Sequence, residues 1–122
     1  MEFKEQKAIY LQIAEHLCDE ILSGKYHQGD KLPSVRELAM EAEVNVNTVA
    51  RSLEWLQQKG VAITRRGLGN FVTEGGIEAV ETLRREEFFT EQLLDLFRVM
   101  RALGVGIGEV VEHWQAQMQP CS

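Results

Sequence analysis

The stretch from Leu32 to Thr73 constrains the fold most, because it indicates where two helices begin and where the second one ends. Ser34 is a favourable N-cap, and Glu37 follows three residues later, so the pair forms a capping box. A short helix is therefore predicted from Val35 to Ala42, followed by a turn over residues 43–45.

A second and longer helix is predicted from Val46 to Lys59. Asn45 can cap it, because the side-chain oxygen of an asparagine accepts hydrogen bonds from backbone N–H groups of the first turn. Gly60 suits the position just beyond the end of the helix. Apolar residues at i, i+4 and i+7 mark the buried face: Val49, Leu53 and Leu56.

Two β-prone segments, Val61–Thr64 and Phe71–Thr73, flank a glycine-rich tip over residues 65–70 and predict a hairpin. A helix, a turn, a polar-tipped helix and a basic hairpin make up the plan of a winged helix-turn-helix. In such folds the second helix lies in the major groove of DNA. The hairpin, or wing, is expected to reach the backbone or the minor groove.

The order and spacing of residues in this stretch resemble the DNA-binding domain of GntR-type bacterial regulators, and the segment VNVNTVARSLEWL and the short tail look most like the YtrA subfamily. The resemblance rests on the pattern GxxLPSxRxLAxxxxVxxxTVxxxLxxLxxxG followed by RxGxGxFV. It implies a regulator that represses transcription. The matching residues are Gly29, Leu32, Pro33, Ser34, Arg36, Leu38, Ala39, Val44, Thr48, Val49, Leu53, Leu56, Gly60, Gly67, Gly69, Phe71 and Val72.

The DNA-binding residues predicted from this resemblance and from the helix positions are Ser34, Arg36, Asn45, Asn47, Thr48, Arg51, Arg65, Arg66, Gly67 and Gly69. In relatives the arginine of the PSxR element contacts a phosphate, and Arg36 matches it; the alternative for Arg36 is a surface salt bridge. Asparagine can bond adenine and threonine can contact the thymine methyl, which fits Asn47 and Thr48. Asn45 is either a base contact or only a cap, and Arg51 is expected to bind a phosphate or a guanine.

The two wing arginines are expected to differ, because adjacent side chains on a strand point to opposite faces. One of Arg65 and Arg66 is predicted to face DNA while the other braces the wing. Gly67 and Gly69 are expected to adopt positive φ and to bring the tip close to DNA. The alternative is a plain solvated hairpin.

Two positions of the second helix depart from well-studied branches of the family. Those branches carry arginines where this chain has Val46 and Ala50. Their guanine contacts therefore do not carry over, and a different operator is expected.

An amphipathic helix is predicted before the motif, from Lys7 to Ser23. Its apolar residues recur at intervals of four and pack in the core: Ile9, Ile13, Leu17 and Ile21. Tyr10, Ala14 and Leu22 broaden this stripe. Cys18 lies beside it and is expected to be a small buried hydrophobic residue.

A break at residues 74–76 predicts a winged domain over residues 1–75 and a dimerisation region over residues 76–122. That region is predicted to hold a long helix from Ile77 to Leu103 and a last helix from Ile107 to Gln117. The long helix is either continuous or kinked near Phe88–Thr90, where a helix could restart. Such an αα-hairpin is too small to bury a core alone. It is expected to pair with a second copy as a homodimer; the alternative is packing on the winged domain.

The net charge of −6 argues at first against DNA binding. Its distribution matters more, because residues 44–73 carry four Lys and Arg side chains against Glu54 alone, whereas residues 76–122 carry four Arg side chains against eight acidic ones. The acidic charge is therefore expected to lie away from the DNA.

Other classes find little support. Cys18 and Cys121 form no disulfide framework and are interpreted as thiols in a reducing cytoplasm. No signal peptide and no membrane span is predicted. No pairing of nucleophile and base points to an enzyme or a cofactor. His113, Met118 and Cys121 carry side chains that bind soft metals, but their spacing matches no helical i, i+4 pair, so no metal site is predicted.

The sequence thus predicts a mainly α protein with a small β-hairpin, which acts as a homodimeric repressor on palindromic double-stranded DNA. The rival is a winged-helix protein-interaction module without DNA binding, which the net charge favours slightly. Whether the protein binds a small-molecule effector is left open by the sequence. Such an effector, of unknown identity, would bind at the dimer interface or between the tail and the winged domain.

Overall fold

The computed structural model describes Phe3 and residues 6–119. It confirms the predicted fold class, since the described elements are helices and one two-stranded antiparallel hairpin. The chain divides into an N-terminal unit that ends at Leu83 and a C-terminal unit that begins at Arg84. The elements are α1 (Ile9–Leu22), α2 (Val35–Ala42), α3 (Val46–Gln58), β1 (Ala62–Arg65), β2 (Gly69–Val72), α4 (Gly76–Glu87), a π-helical turn (Phe88–Gln92), α5 (Leu93–Leu103) and α6 (Ile107–Met118).

The helix ends follow the capping chemistry of the sequence. Helix α2 has the predicted bounds, and the Oγ of Ser34 accepts a hydrogen bond from the N–H of Glu37 at 3.1 Å. Helix α3 begins as predicted and ends one residue early, because Lys59 already departs from helical dihedral angles. Helix α1 is shorter than predicted by two residues at its start and one at its end, and its N-cap Ala8 offers no capping side chain.

The hairpin is longer than predicted, and its tip is shorter. Arg65 pairs with Gly69 in the ladder, so only residues 66–68 form the loop. The physical reason is a turn closed by the N–H of Leu68, which donates to the carbonyl of Arg65 at 2.9 Å. The outer edge of β2 is paired too, since the N–H of Leu32 donates to Asn70 at 2.8 Å.

One hydrophobic core fills the N-terminal unit and draws on every element of the motif. Cys18 is buried in it, as expected. Ile9 and Leu22 were expected in this core but are 43% and 42% exposed, because they are the first and last residues of α1. The buried apolar residues are Ile13, Ala14, Leu17, Cys18, Ile21, Leu32, Leu38, Ala39, Ala42, Val49, Leu53, Leu56, Val61, Ala62, Val72 and Val80.

The first two turns of α4 pack on this same core. A Cβ at Gly76 would lie 2.6 Å from the carbonyl oxygen of Val61, so α4 can start against the base of β1 only with glycine there. Val80 is fully buried, and Leu83 packs against the core from its edge. The contacts thus extend the N-terminal unit to Leu83, and the functional division after residue 75 stays a prediction.

The long C-terminal helix is not one regular α-helix. A π-helical turn separates α4 from α5, so the chain neither restarts a helix at Thr90 nor continues with α-helical geometry. The hydroxyl of Thr90 donates to the carbonyl of Glu86 at 2.7 Å, and such bonds to the preceding turn compete with the regular ladder. Helix α6 begins as predicted and ends at Met118, one residue later than expected.

Candidate nucleic-acid interface

Two capped helix N-termini form the first part of the site. The Oδ1 of Asn45 accepts from the N–H of Asn47 at 2.7 Å, so Asn45 does cap α3. Ser34 does the same for α2. Both capping residues are exposed, and the remaining N–H groups of each first turn give the helix end a partial positive charge that suits a phosphate.

A tight turn sets α3 against α2. Glu43 adopts the left-handed conformation with φ 56°, the only non-glycine residue of the described chain to do so. Its N–H donates to Met40 at 3.3 Å, and the N–H of Val44 donates to Ala39 at 3.0 Å. These two bonds close α2 and direct the chain into α3.

The exposed face of α3 lies opposite its buried residues. Asn47 is exposed near the start of this face, whereas Thr48 is half-buried. Val46 is 46% exposed, and Ala50 is half-buried. Of the two predicted base contacts on α3, the structure thus leaves Asn47 more accessible than Thr48.

Arg36 occupies the second position of α2 and is exposed. The surface salt bridge that the sequence left open for it is not formed with any residue that the structure describes. Its guanidinium is therefore available to an external anion.

The wing arginines differ in their surroundings, but not through alternation along a strand, because Arg65 is the last residue of β1 and Arg66 lies in the loop. The guanidinium carbon of Arg65 lies 5.4 Å from the centre of the Phe71 ring, a cation–π contact that braces the wing. Arg66 is exposed in the loop, and no aromatic ring or carboxylate of the described residues contacts it. Gly67 and Gly69 have φ of 78° and 112°, the positive values expected for the tip.

Arg51 has a partner that the sequence did not indicate. Its guanidinium carbon lies 4.0 Å from the centre of the Tyr10 ring on α1. The buried hydroxyl of Ser52 donates to the backbone carbonyl of Tyr10 at 2.7 Å and so ties α1 to α3 at the same point. Local spacing cannot reveal a contact between residues this far apart in the chain.

Lys31 is a further cation beside the wing that sequence reasoning missed. It pairs with Phe71 across the outer edge of β2, and its Cε lies 2.9 Å from where a Cβ on Gly69 would stand. The side chain thus crosses the strand next to the tip. Alternation with the buried Leu32 could have predicted its outward direction, since side chains alternate along an extended segment.

Other kinds of site are not found in the described residues. No group of three or more His, Cys, Asp or Glu side chains there could hold a metal ion, and Cys121 lies outside the described part of the chain. None of the helices in that part is both long and apolar enough to cross a membrane.

The comparison with protein families decides the class. Residues 9–72 match the family described as bacterial regulatory proteins, gntR family, a span that runs from the start of α1 to the end of β2. The chain belongs to the GntR family.

Individual relatives agree with this membership. The uncharacterized HTH-type transcriptional regulator YhcF of Bacillus subtilis (strain 168) is 38% identical over 112 residues, which cover 91% of this chain and 90% of YhcF. The HTH-type transcriptional repressor YtrA of the same strain is 37% identical over 83 residues, covering 65% and 64%. A GntR-family protein from Bacteroides thetaiotaomicron has a similar structure, with a TM-score of 0.77, 42% identity and coverage of 92% and 97%.

Two conclusions follow from the family and its members. This GntR-family chain is a DNA-binding transcription regulator, as the motif predicted. It is not an enzyme, because the family consists of regulators. The match with YtrA also agrees with the predicted likeness to that subfamily.

Proposed function

We propose that this regulator is a cytoplasmic repressor that binds a palindromic operator as a homodimer. The observation that carries the proposal is a single winged unit with two capped helix N-termini and an exposed basic wing. Repression would follow from occupation of the promoter. The similar YtrA is named a repressor, which supports this sign of regulation.

Cations around the winged unit supply the backbone contacts in this proposal. Arg36 at the start of α2, Arg66 at the wing tip and Lys31 beside it are exposed. Phosphate contacts of this kind set the register of a protein on DNA without reading its sequence. The capped first turns behind Ser34 and Asn45 add backbone N–H donors, and the positive φ of Gly67 and Gly69 lets the tip approach closely.

Base contacts are assigned to the first turn of α3. Asn47 is exposed there and can bond the N6 and N7 of an adenine through its amide. Asn45 serves as the cap, which leaves its amide N–H₂ to donate outwards. Thr48 is half-buried and is assigned a lesser role at the groove edge. The absence of arginine at Val46 and Ala50 implies an operator that differs from those of arginine-bearing relatives.

A second copy is the proposed cover for the C-terminal helices. No residue of α5 or α6 is buried in the single chain. Each helix has one apolar face at spacings of i, i+3, i+4 and i+7, formed by Leu93, Leu96, Phe97 and Met100 in α5 and by Ile107, Val110, Val111 and Trp114 in α6. GntR-family regulators typically dimerise, and a two-fold dimer matches a palindromic site.

DNA binding at graded salt tests the proposal. Wild-type protein and two single variants, Arg36→Ala and Arg101→Ala, are titrated onto DNA from around the chain's own gene. We expect the logarithm of the affinity to fall linearly with that of the salt concentration, by about 0.9 per neutralised phosphate. Arg36→Ala should reduce this slope, and the matched control on exposed Arg101 of α5 should not.

Three outcomes would contradict parts of this reading. A wild-type protein that shifts no DNA at low salt would favour the protein-interaction module. A slope near zero would exclude backbone contacts as the main source of affinity. Higher transcription from the bound promoter in a purified system, on addition of the protein, would make it an activator.

A further inference from the structure

We propose that Tyr10 is a positioning residue, which holds the guanidinium of Arg51 in place to bind a DNA phosphate. The inference rests on the proposed DNA contact of α3. The two side chains come from different helices, α1 and α3, and the guanidinium carbon stands 4.0 Å above the ring centre. Within the described residues this is the shortest of the cation–π contacts.

A guanidinium in contact with one aromatic ring keeps donors available for other partners. It carries five N–H groups, and a single ring face cannot engage all of them. Those N–H groups match a phosphate in a bidentate manner. Arg51 remains exposed, so the edge of its guanidinium stays accessible from solvent.

The position of Arg51 on α3 brings it to the same side as Asn47. The two residues are four apart, and side chains at this spacing lie one above the other on a helix. A phosphate that borders the groove read by Asn47 would therefore lie within reach of Arg51. Without the ring, the long arginine side chain would lose rotamer freedom on binding, which reduces affinity.

The ring itself is fixed relative to α3. Ser52 follows Arg51 directly, is fully buried, and donates its hydroxyl to the carbonyl of Tyr10 at 2.7 Å. Ile13 and Ala14, one turn further along α1, are buried in the core. Tyr10 is thus held at the backbone and by its neighbours, so its ring can serve as a rigid platform.

Space for an anion exists beside the stack, together with one opposing charge. A surface cleft of about 180 Å³ is lined by Tyr10, Arg51, Glu54, Trp55 and Gln58. Glu54 carries the only carboxylate of this lining, and no salt bridge joins it to Arg51 among the described residues. Its charge should weaken phosphate binding, so Glu54→Gln should strengthen it.

A double-mutant cycle on DNA affinity tests the inference. The probe is a mixed-sequence duplex, measured by fluorescence anisotropy at graded salt with wild type, Tyr10→Phe, Tyr10→Leu, Arg51→Ala and the double variant Tyr10→Leu/Arg51→Ala. We expect Arg51→Ala to reduce the salt slope by about 0.9 for each Arg51 that meets a phosphate. Tyr10→Leu should weaken binding about two- to fivefold and lower the slope in the same direction.

The conservative and double variants separate positioning from stability. Tyr10→Phe keeps the aromatic face and should bind like wild type, and the double variant should bind no more weakly than Arg51→Ala alone. The inference is overturned if Tyr10→Leu binds DNA with wild-type affinity. It is also overturned if Tyr10→Phe binds DNA as weakly as Tyr10→Leu does. A further loss from Tyr10→Leu in the Arg51→Ala background would also overturn it.

Two more results keep the test decisive. Should Tyr10→Leu melt below the assay temperature, Arg51→Lys replaces it, because lysine keeps the charge but loses the planar stack. Weaker binding by Arg51→Lys supports the inference, and wild-type affinity overturns it. If the wild-type protein binds no duplex, both the proposed function and this inference are overturned. If the wild type binds but substitutions at Tyr10 and Arg51 leave the affinity unchanged, the inference alone is overturned.

Discussion

The two units of the chain treat their apolar residues in opposite ways. The N-terminal unit buries side chains such as Leu17, Leu56 and Val61 to less than 2% exposure within one chain. The C-terminal unit leaves Phe97 and Trp114 exposed by 39% and 62%. The first unit closes its own core, whereas no residue of α5 or α6 in the second unit is buried in the single chain.

Acidic side chains outnumber basic ones in both units, but the basic side chains of the winged unit are unevenly spread along the chain. Residues 44–73 carry four Lys and Arg side chains against Glu54 alone, and Lys31, Arg36, Arg51 and Arg66 are exposed. The net charge of −6 therefore says little about the DNA face.

The largest expected effect comes from breaking the C-terminal apolar face. Phe97→Asp should convert the dimer to monomers, because a charge cannot be buried at the interface without a partner. Loss of two-site binding should weaken operator affinity by about 10²- to 10⁴-fold. Sedimentation and anisotropy measure the two effects. Asp95→Asn on the polar face of α5 is the control, and a dimeric Phe97→Asp would place the interface elsewhere.

A point substitution is a sharper test here than truncation after Glu74. That truncation would also remove Gly76 and Val80, which are buried in the core of the winged unit. A monomeric product would then report a damaged fold as readily as a lost interface.

Truncation of a core leucine should show the next largest effect. Leu56→Ala should lower the free energy of unfolding by about 2–5 kcal/mol, because it leaves a cavity in a closed core. Leu103→Ala is the matched control, since Leu103 is 72% exposed in the single chain. Its effect should depend on protein concentration, as expected for an interface residue. Denaturant unfolding at several protein concentrations distinguishes the two variants. If the effects of Leu56→Ala and Leu103→Ala depend equally on protein concentration, the contrast between the units is contradicted.

Sequence preference should depend on α3 and general affinity on the wing. Asn47→Ala should weaken binding by about 1–3 kcal/mol on the cognate site and leave non-specific DNA unaffected. Arg66→Ala should weaken both kinds of DNA alike, because a phosphate contact reads no sequence. Arg65→Ala should change affinity less than Arg66→Ala, since Arg65 rests on Phe71. If both wing variants bind like wild type, the wing does not contact DNA.

The smallest effect is a gain in stability at the turn between α2 and α3. Glu43 adopts φ 56°, where a side chain is strained and glycine is not. Glu43→Gly should raise the free energy of unfolding by about 1 kcal/mol. Glu43→Gln removes the same charge but keeps the strain, so it should not stabilise the fold. A gain of equal size in both variants would attribute the effect to charge.

Local chemistry made much of the winged unit predictable. Caps at Ser34 and Asn45, the stop at Gly60 and the apolar spacing of α3 depend on neighbours in the chain, and the structure agrees with each of them. The loop predicted for the wing, residues 65–70, is longer than the observed one. The backbone hydrogen bond from the N–H of Leu68 to the carbonyl of Arg65 shortens it, and this bond forms only in the folded turn.

Contacts between distant segments could not be predicted in this way. Three contacts join residues that lie far apart in the sequence: Arg51 with Tyr10, Lys31 with Phe71, and Gly76 with Val61. The π-helical turn before α5 has no counterpart in the apolar periodicity of the sequence, which predicts only a long helix.

Hydrogen exchange at graded protein concentration tests the contrast between the units most directly. We expect amides of α1 and α3 to stay protected at every concentration, because their unit closes its own core. Amides of α5 and α6 should lose protection when dilution, or Phe97→Asp, yields monomers by sedimentation. Protection of α5 and α6 that persists unchanged in the monomer would contradict the account, since those helices would then be stable without a second copy.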